Sequence, residues 1–222
     1  MTEQKTPKTE YEILLTEHPE LFANEEGTGI RILTEATERK QAEAETGRKT
    51  GVVYQDDYIL LLRDAVQFPG GRYGTYIRLF NKSLHGGTVI LPVTQTGHIV
   101  LIRHFRHASR SYHYEIPRGM FELGYTIEAN SRKELWEEIN AEPMKLTFLG
   151  ETYPDSGLLG HKVAFYHALV SREELKVNDV EEGIEEILDL TYEEVKEKIR
   201  CGEIQDGFTL NALYLAELYG LL

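Results

Sequence analysis

The chain has 222 residues, 41% apolar and 27% charged, with 37 acidic against 24 basic side chains and a net charge of −13. The apolar share is enough to build a core, which excludes wholesale disorder, and the length suits one good-sized domain, alone or behind a small N-terminal one. The acidic balance repels a polyanion, so no nucleic-acid partner is expected; a small anionic ligand stays admissible where a bound cation or a local Arg cluster reverses the field. The lone Cys201 excludes a disulfide framework and a Cys-rich metal site, and fits a reducing compartment. No apolar run approaches the roughly 18 residues of a membrane span. The polar start, MTEQKTPKTEYE, has no signal-peptide stretch. These features predict no membrane partner and a cytoplasmic location.

In chain order, residues 1–50 read as a polar, partly helical segment. Tyr11–Leu15 suggests a helical turn, Ile30–Leu33 a short strand, and Thr34–Thr50 a solvated helix or linker. Residues 51–85 are β-rich. Gly51–Phe68 holds two strand-like runs around Gln55-Asp56-Asp57, a hairpin signal; Phe68–Gly74 is a turn cluster and Thr75–Phe80 a strand. Residues 86–222 form the main domain. Thr88–Val93 and His98–Phe105 are β-branched runs flanking a second hairpin turn. After Pro117 the period changes to that of a helix, capped by Thr126, carrying Leu135 and Ile139 toward a core and stopped by Pro143. Leu146–Pro154 and Lys162–Val170 read as strands. The acidic loop Asn178–Glu186 precedes a short strand, Thr191 with Glu194 forms a capping box, and a last helix spans about Thr209–Leu222. Strands followed by helices after a β-rich start predict an α+β fold with a mixed sheet.

The sharpest feature is Lys133–Glu138, KELWEE. Glu134, Glu137 and Glu138 stand at i, i+3 and i+4, which puts three carboxylates on one helix face about 5–6 Å apart. Like charges at that spacing repel, and a hard divalent cation removes the repulsion because it takes oxygen ligands together with substrate phosphates. The alternative is a solvated acidic face in a Glu-rich chain. The upstream loop Glu115–Gly124, EIPRGMFELG, weighs against that alternative, since its glycines and Pro117 can bring backbone carbonyls beside the helix and Glu122 adds a fourth carboxylate.

With these residues in view the sequence resembles the Nudix hydrolases. Gly119, Glu134, Leu135, Glu137 and Glu138 match the family box, while Tyr125, Lys133 and Asn140 stand where the family has Glu, Arg and Gly. The Glu and Arg of the box form a brace in the family, so Tyr125 packing is expected to replace it here. Asn140 suits the left-handed geometry that ends a helix. Further segments resemble the ADP-ribose pyrophosphatase-like branch: EIPRGMFELG, RHFR at Arg103–Arg106, YPDSG at Tyr153–Gly157, and GEIQDGFTLNAL at Gly202–Leu213.

The resemblance implies a Nudix-type α/β/α sandwich and metal-dependent hydrolysis of the pyrophosphate bond of ADP-ribose or a related nucleoside diphosphate sugar, giving AMP and a sugar phosphate. It implies Mg²⁺ or Mn²⁺ as cofactor, held by Glu134 and Glu138 with Glu137, Glu122 and the Arg118 carbonyl as further ligands. Glu182 is the favoured residue to orient the water, with Glu181 as its neighbour in the same acidic loop and Glu137 as another catalytic carboxylate. Arg103 and Arg106 suit phosphates, with Glu115 and Tyr114 as further substrate contacts, although an aromatic residue in a strand is more often core. A homodimer is implied, with residues 51–85 as the contact. His104, His107 and His113 lack zinc-like spacing and read as surface or supporting residues, Trp136 as packing, and Cys201 as inert. The rival reading is a Nudix-fold nucleotide-sugar binding module with little or no turnover, motivated by Tyr125 and Lys133.

Overall fold

The computed structural model describes residues 9–25, 27 and 29–222; the polar opening of the chain, residues 1–8, lies outside them. The chain divides into two compact units, the described residues of 1–82 with Gly157–Gly160, and residues 83–156 with 161–222.

The first unit opens with α1 (Glu10–Glu17), held by a capping box between Thr9 and Glu12. β1 (Arg31–Ile32) and α2 (Ala36–Thr46) follow, then β2 (Gly51–Gln55), β3 (Ile59–Gln67) and β4 (Tyr73–Asn81). All strands here are antiparallel: β4 lies on one edge of β3, while β2 and β1 share the other. The stretch read as solvated does not lie free. Ala42 of α2 is fully buried against Leu33 and Ala65, because one small residue in a polar helix suffices to seat it on a sheet. Buried Asp64 is matched by the Tyr11 hydroxyl at 2.6 Å and Arg78 at 2.6 Å.

The second unit contains β5 (Thr88–Thr94), β6 (Ile99–Arg106), β7 (Ser111–Glu115), β8 (Arg118–Gly119), α3 (Ile127–Ile139), β9 (Lys145–Thr152), β10 (Val163–Val170), β11 (Ile184–Leu190), α4 (Tyr192–Arg200) and α5 (Gly207–Leu218). Its sheet runs β11-β6-β5-β10-β9, with β7 on β6 and β8 on β5. Only β5 and β10 pair in parallel; the other pairings are antiparallel, so the sheet is mixed. β5 is buried along its whole length, and it is a near-continuous apolar run because both of its faces are covered. Ile90, Val100 and Ile102 face α3 through Leu135 and Ile139, whereas Val89, Leu91 and Leu101 pack with Leu213 and Ala216 of α5. The result is the expected α/β/α sandwich.

Helix boundaries follow local chemistry. The Thr126 side chain accepts the Ala129 N–H, and α3 ends at Ile139 with Asn140 left-handed at φ 57°, three residues before Pro143. α5 starts beyond its Asp206 cap and stops at Leu218, short of the expected Leu222. β11 begins at Ile184, inside the expected acidic loop. Among the described residues no helix is long and apolar enough to cross a membrane.

Candidate active site

The loop from β7 through β8 meets the inner face of α3 at Gly119. A Cβ on Gly119 would stand 1.9 Å from the Glu134 carboxyl carbon, so any other residue here would displace that carboxyl. Asn130, fully buried one turn before Glu134, organises the junction. Its amide nitrogen donates to the Met120 carbonyl at 3.1 Å and to Glu134 at 3.3 Å, and its oxygen accepts the Glu122 N–H at 3.0 Å. Asn130 is not among the expected site residues. Its signal was the i, i+4 spacing to Glu134.

Glu138 is 4% exposed, and its Oε2 is buried without a hydrogen-bond partner. Burial, then the neighbouring Glu134, pushes its carboxyl well above the usual range, against the pull of Arg106 and of the Arg118 N–H, which donates to it. Glu134 is pushed up to about 7, chiefly by burial, with Glu137, Glu122 and Glu182 adding to the push and Lys133 opposing it. Glu182 is thus near enough to Glu134 for its charge to be felt there. Glu181 is exposed.

The outer carboxylates stand differently. Lys133 bonds Glu122 at 2.9 Å and also Glu137. The brace expected from Tyr125 is thus an ion pair to Glu122, while Tyr125 is 45% exposed; a phenol cannot replace a carboxylate toward ammonium, and Glu122 lies within reach. Trp136 is 52% exposed rather than packed, since its helix position points away from Leu135 and Ile139. Among the described residues no three His, Cys, Asp or Glu side chains stand grouped as a ready cage for a metal ion. Lys133 holds two of the candidate carboxylates.

Opposite α3, the end of β6 and β7 supplies a cationic wall. Glu115 is 1% exposed and paired with Arg106; His104 Nδ1 lies 3.4 Å away and Arg118 3.6 Å away. Burial pushes the Glu115 carboxyl up, but His104 and Arg106, helped by Arg118, hold it down at about 2. At 1% exposure Glu115 is shut off from solvent and holds these cations, with its Oε2 left without a hydrogen bond. The Arg118 guanidinium also lies 3.7 Å from Asp206 and over the Phe208 ring. Asp206 caps α5 and accepts the Thr209 hydroxyl at 2.8 Å, and Thr209 in turn accepts the Ile116 N–H at 3.1 Å. The C-terminal Asp-x-x-Thr segment thereby fixes the loop that carries Gly119.

Arg103 and Tyr114 are not brought to the carboxylates. They pair across β6 and β7, and strand alternation sets them on the face opposite Ile102, Arg106 and Glu115. Arg103 pairs with Glu185 and lies over Tyr112, while Tyr114 packs on the α5-side core. Two open clefts of about 420 and 590 Å³ lie in the N-terminal unit, and neither is lined by the α3 carboxylates.

A NUDIX domain model matches residues 84–206, over half of the chain, and the chain belongs to the Nudix hydrolase family. It is an enzyme of that kind, and its relatives lie in the pyrophosphatase branches. It is 29% identical over 135 residues to an ADP-ribose pyrophosphatase of Bacillus subtilis (strain 168), covering 60% of this chain and 72% of that protein. It is 27% identical over 147 residues to a GDP-mannose pyrophosphatase of Yersinia enterocolitica (serotype O:8 / biotype 1B, strain NCTC 13174 / 8081), covering 62% and 76%. A solved structure described as an ADP compounds hydrolase superposes with a TM-score of 0.63 over 78% of this chain and 95% of that one; at 17% identity the likeness is one of fold.

Proposed function

We propose that this protein hydrolyses the pyrophosphate bond of ADP-ribose or a related nucleoside diphosphate sugar, releasing AMP and a sugar phosphate, with Mg²⁺ or Mn²⁺ held at Glu134 and Glu138. The observation that carries this reading is the pair of buried carboxyls on α3, one with an unpartnered oxygen, opposite Arg106. Two carboxyls pushed toward their protonated forms side by side are short of counter-charge even with Arg106 and Lys133 nearby, and hard oxygen donors suit a divalent cation. Such an ion, when bound, neutralises phosphate charge and activates a water. Glu137, Glu122 and the Arg118 carbonyl serve as further ligands, once Lys133 gives up its two carboxylates. Arg106, partly exposed and fixed by Glu115, offers guanidinium donors to a phosphate oxygen. Glu182 takes the proton of the attacking water; the new P–O bond forms on one phosphorus and the bridging oxygen leaves with the other phosphate. The enzyme works as a cytoplasmic homodimer in this reading.

The test is a panel of nucleotide sugars incubated side by side with Mg²⁺ or Mn²⁺ and analysed for nucleotide products. AMP from ADP-ribose is the expected result, and cleavage of GDP-sugars with ADP-sugars left intact overturns the substrate class. The Lys133 bridge across Glu122 and Glu137 favours a second reading, a binding module with little turnover. Ligand binding without product would establish it.

A further inference from the structure

His104 is a buried polar side chain that the reaction scheme above does not use. It lies on β6, 3% exposed, on the same strand face as Arg106. Its Nε2 is 3.1 Å from the Glu182 carbonyl oxygen. A carbonyl only accepts, so this nitrogen carries the hydrogen and donates. Its Nδ1 lies 3.4 Å from Glu115, beyond ordinary hydrogen-bond length, and the ring is among the groups that hold that carboxyl down. The next residue of the strand continues the pattern, for the Phe105 N–H donates to the Gly183 carbonyl at 3.0 Å. Two successive β6 residues thus hold two successive carbonyls of the acidic loop.

The same loop is fastened at its other end to α3. The Asn178 N–H donates to the Glu138 carbonyl at 3.2 Å and its side-chain amide to the Trp136 carbonyl at 3.1 Å. Asp179 then accepts the Glu182 N–H at 3.1 Å. The Glu182 backbone is therefore held at both its N–H and its C=O, while the residue is exposed and its charge is felt at Glu134. His104 supplies the only one of these contacts made by a side chain of the sheet among the bonds described for Glu182.

We propose that His104 is a positioning residue for hydrolysis: its Nε2–H, clamped on the Glu182 carbonyl, sets where the Glu182 carboxylate stands relative to Glu134 and Glu138. The inference rests on the reading of Glu182 as the residue that addresses the water. A strand side chain, itself fixed in the core, transfers its order to one peptide unit of the loop. An error of about 1 Å there would cost on the order of a hundredfold in rate.

The test compares His104→Leu, which removes the donor, with His104→Gln, whose amide reaches a similar place and can donate to the same carbonyl. His104→Leu is expected to lower kcat about 30-fold with KM within about threefold, and His104→Gln to stay within about threefold of wild type in both. In a Glu182→Gln background the further loss from His104→Leu is expected to shrink to less than about threefold, because the residue acts through Glu182. Hydrogen exchange supplies a readout independent of turnover. Amides of residues 178–186 should exchange at least about tenfold faster in His104→Leu, with α3 and β5 unchanged, and as in wild type in His104→Gln. Full additivity with Glu182→Gln, or a loop exchanging at the wild-type rate in folded His104→Leu, overturns the proposal. If wild type hydrolyses nothing, the hydrolase reading fails, and with it the catalytic consequence of the clamp, while the exchange result still decides whether the clamp exists. Should His104→Leu not fold, His104→Met carries the same measurements.

Discussion

The two walls of the site each bury a carboxyl and treat it in opposite ways. On the β6–β7 wall Glu115 is surrounded by His104, Arg106 and Arg118 and is held ionised, its carboxyl at about 2. On the α3 wall Glu138 is as deeply buried but has Glu134 beside it, and is driven toward its neutral form. Burial alone pushes both up; the difference is the sign of the neighbours. The first wall has cations enough to keep its carboxyl ionised, although Glu115 Oε2 makes no hydrogen bond, whereas on the second the pull of Arg106 and Lys133 falls short of burial and like charge. A buried charge with its partners in place reads as structure, and one short of partners reads as a place for a ligand.

The same chemical change on the two walls should therefore give opposite results. Glu138→Gln is expected to lower hydrolysis by about a hundredfold or more, since a neutral amide cannot hold the cation. In metal-free buffer near pH 8 the same variant should unfold in urea no more easily than wild type. Glu115→Gln is expected to destabilise by about 3 kcal/mol, because Arg106 and Arg118 lose the charge that compensates their partial burial. Equal stability losses for the two variants would erase the contrast between the walls.

The contrast also fixes the sign of the pH dependence. Glu134 titrates at about 7 in the fold, above the ordinary 4.5, so its contribution is favourable below pH 4.5 and is lost as pH rises through 7. Glu115 is the reverse, contributing above pH 4.5 and losing that contribution as pH falls toward 2. In EDTA, the stability of wild type relative to Glu134→Gln should therefore fall between pH 5 and pH 8, as read from urea unfolding curves. Mg²⁺ must displace the proton from the same site, so its affinity should rise by up to about tenfold per pH unit below 7, measured by calorimetry. A flat affinity from pH 6 to pH 8 would mean that the ion does not bind at Glu134.

The sequence made some of this legible and hid the rest for physical reasons. The cap at Thr126, the inward pair Leu135 and Ile139 and the Thr191–Glu194 capping box are local features, and the structure shows each. Residue type and resemblance make Arg103 and Tyr114 candidate substrate contacts, but nothing in β6 shows which way Arg103 and its β7 partner Tyr114 face. Ile99, Val100, Leu101 and Ile102 are all apolar, since both faces of the sheet are covered, and a strand buried on both sides carries no facing signal. Tyr125 is expected to pack in place of the missing brace and Trp136 beside Leu135, but loop position and helix phase leave both exposed. The Lys133–Glu122 pair joins residues eleven apart across a turn, a distance at which no periodic pattern speaks. His104 looked unremarkable because its partner, a backbone carbonyl 78 residues later, has no sequence signature.

The smallest effect expected is at Lys133, on the rim of the α3 wall. Its partners Glu122 and Glu137 have side chains 47% and 45% exposed, so water already screens the bridge. Lys133→Met should then cost less than about 1 kcal/mol of stability in metal-free urea unfolding. Its effect on the cation should have the opposite sign. Lys133 is raised further above its ordinary value because the pull of Glu137 and Glu122 outweighs its partial burial, so it competes for two carboxylates that the proposed ion would use. Freeing them should tighten Mg²⁺ binding by a few-fold in calorimetry. Weaker binding in Lys133→Met would show that the ammonium holds the loop in shape for the cation rather than opposing it. In that case the α3 wall, like the β6–β7 wall, would owe its geometry to an ion pair already in place.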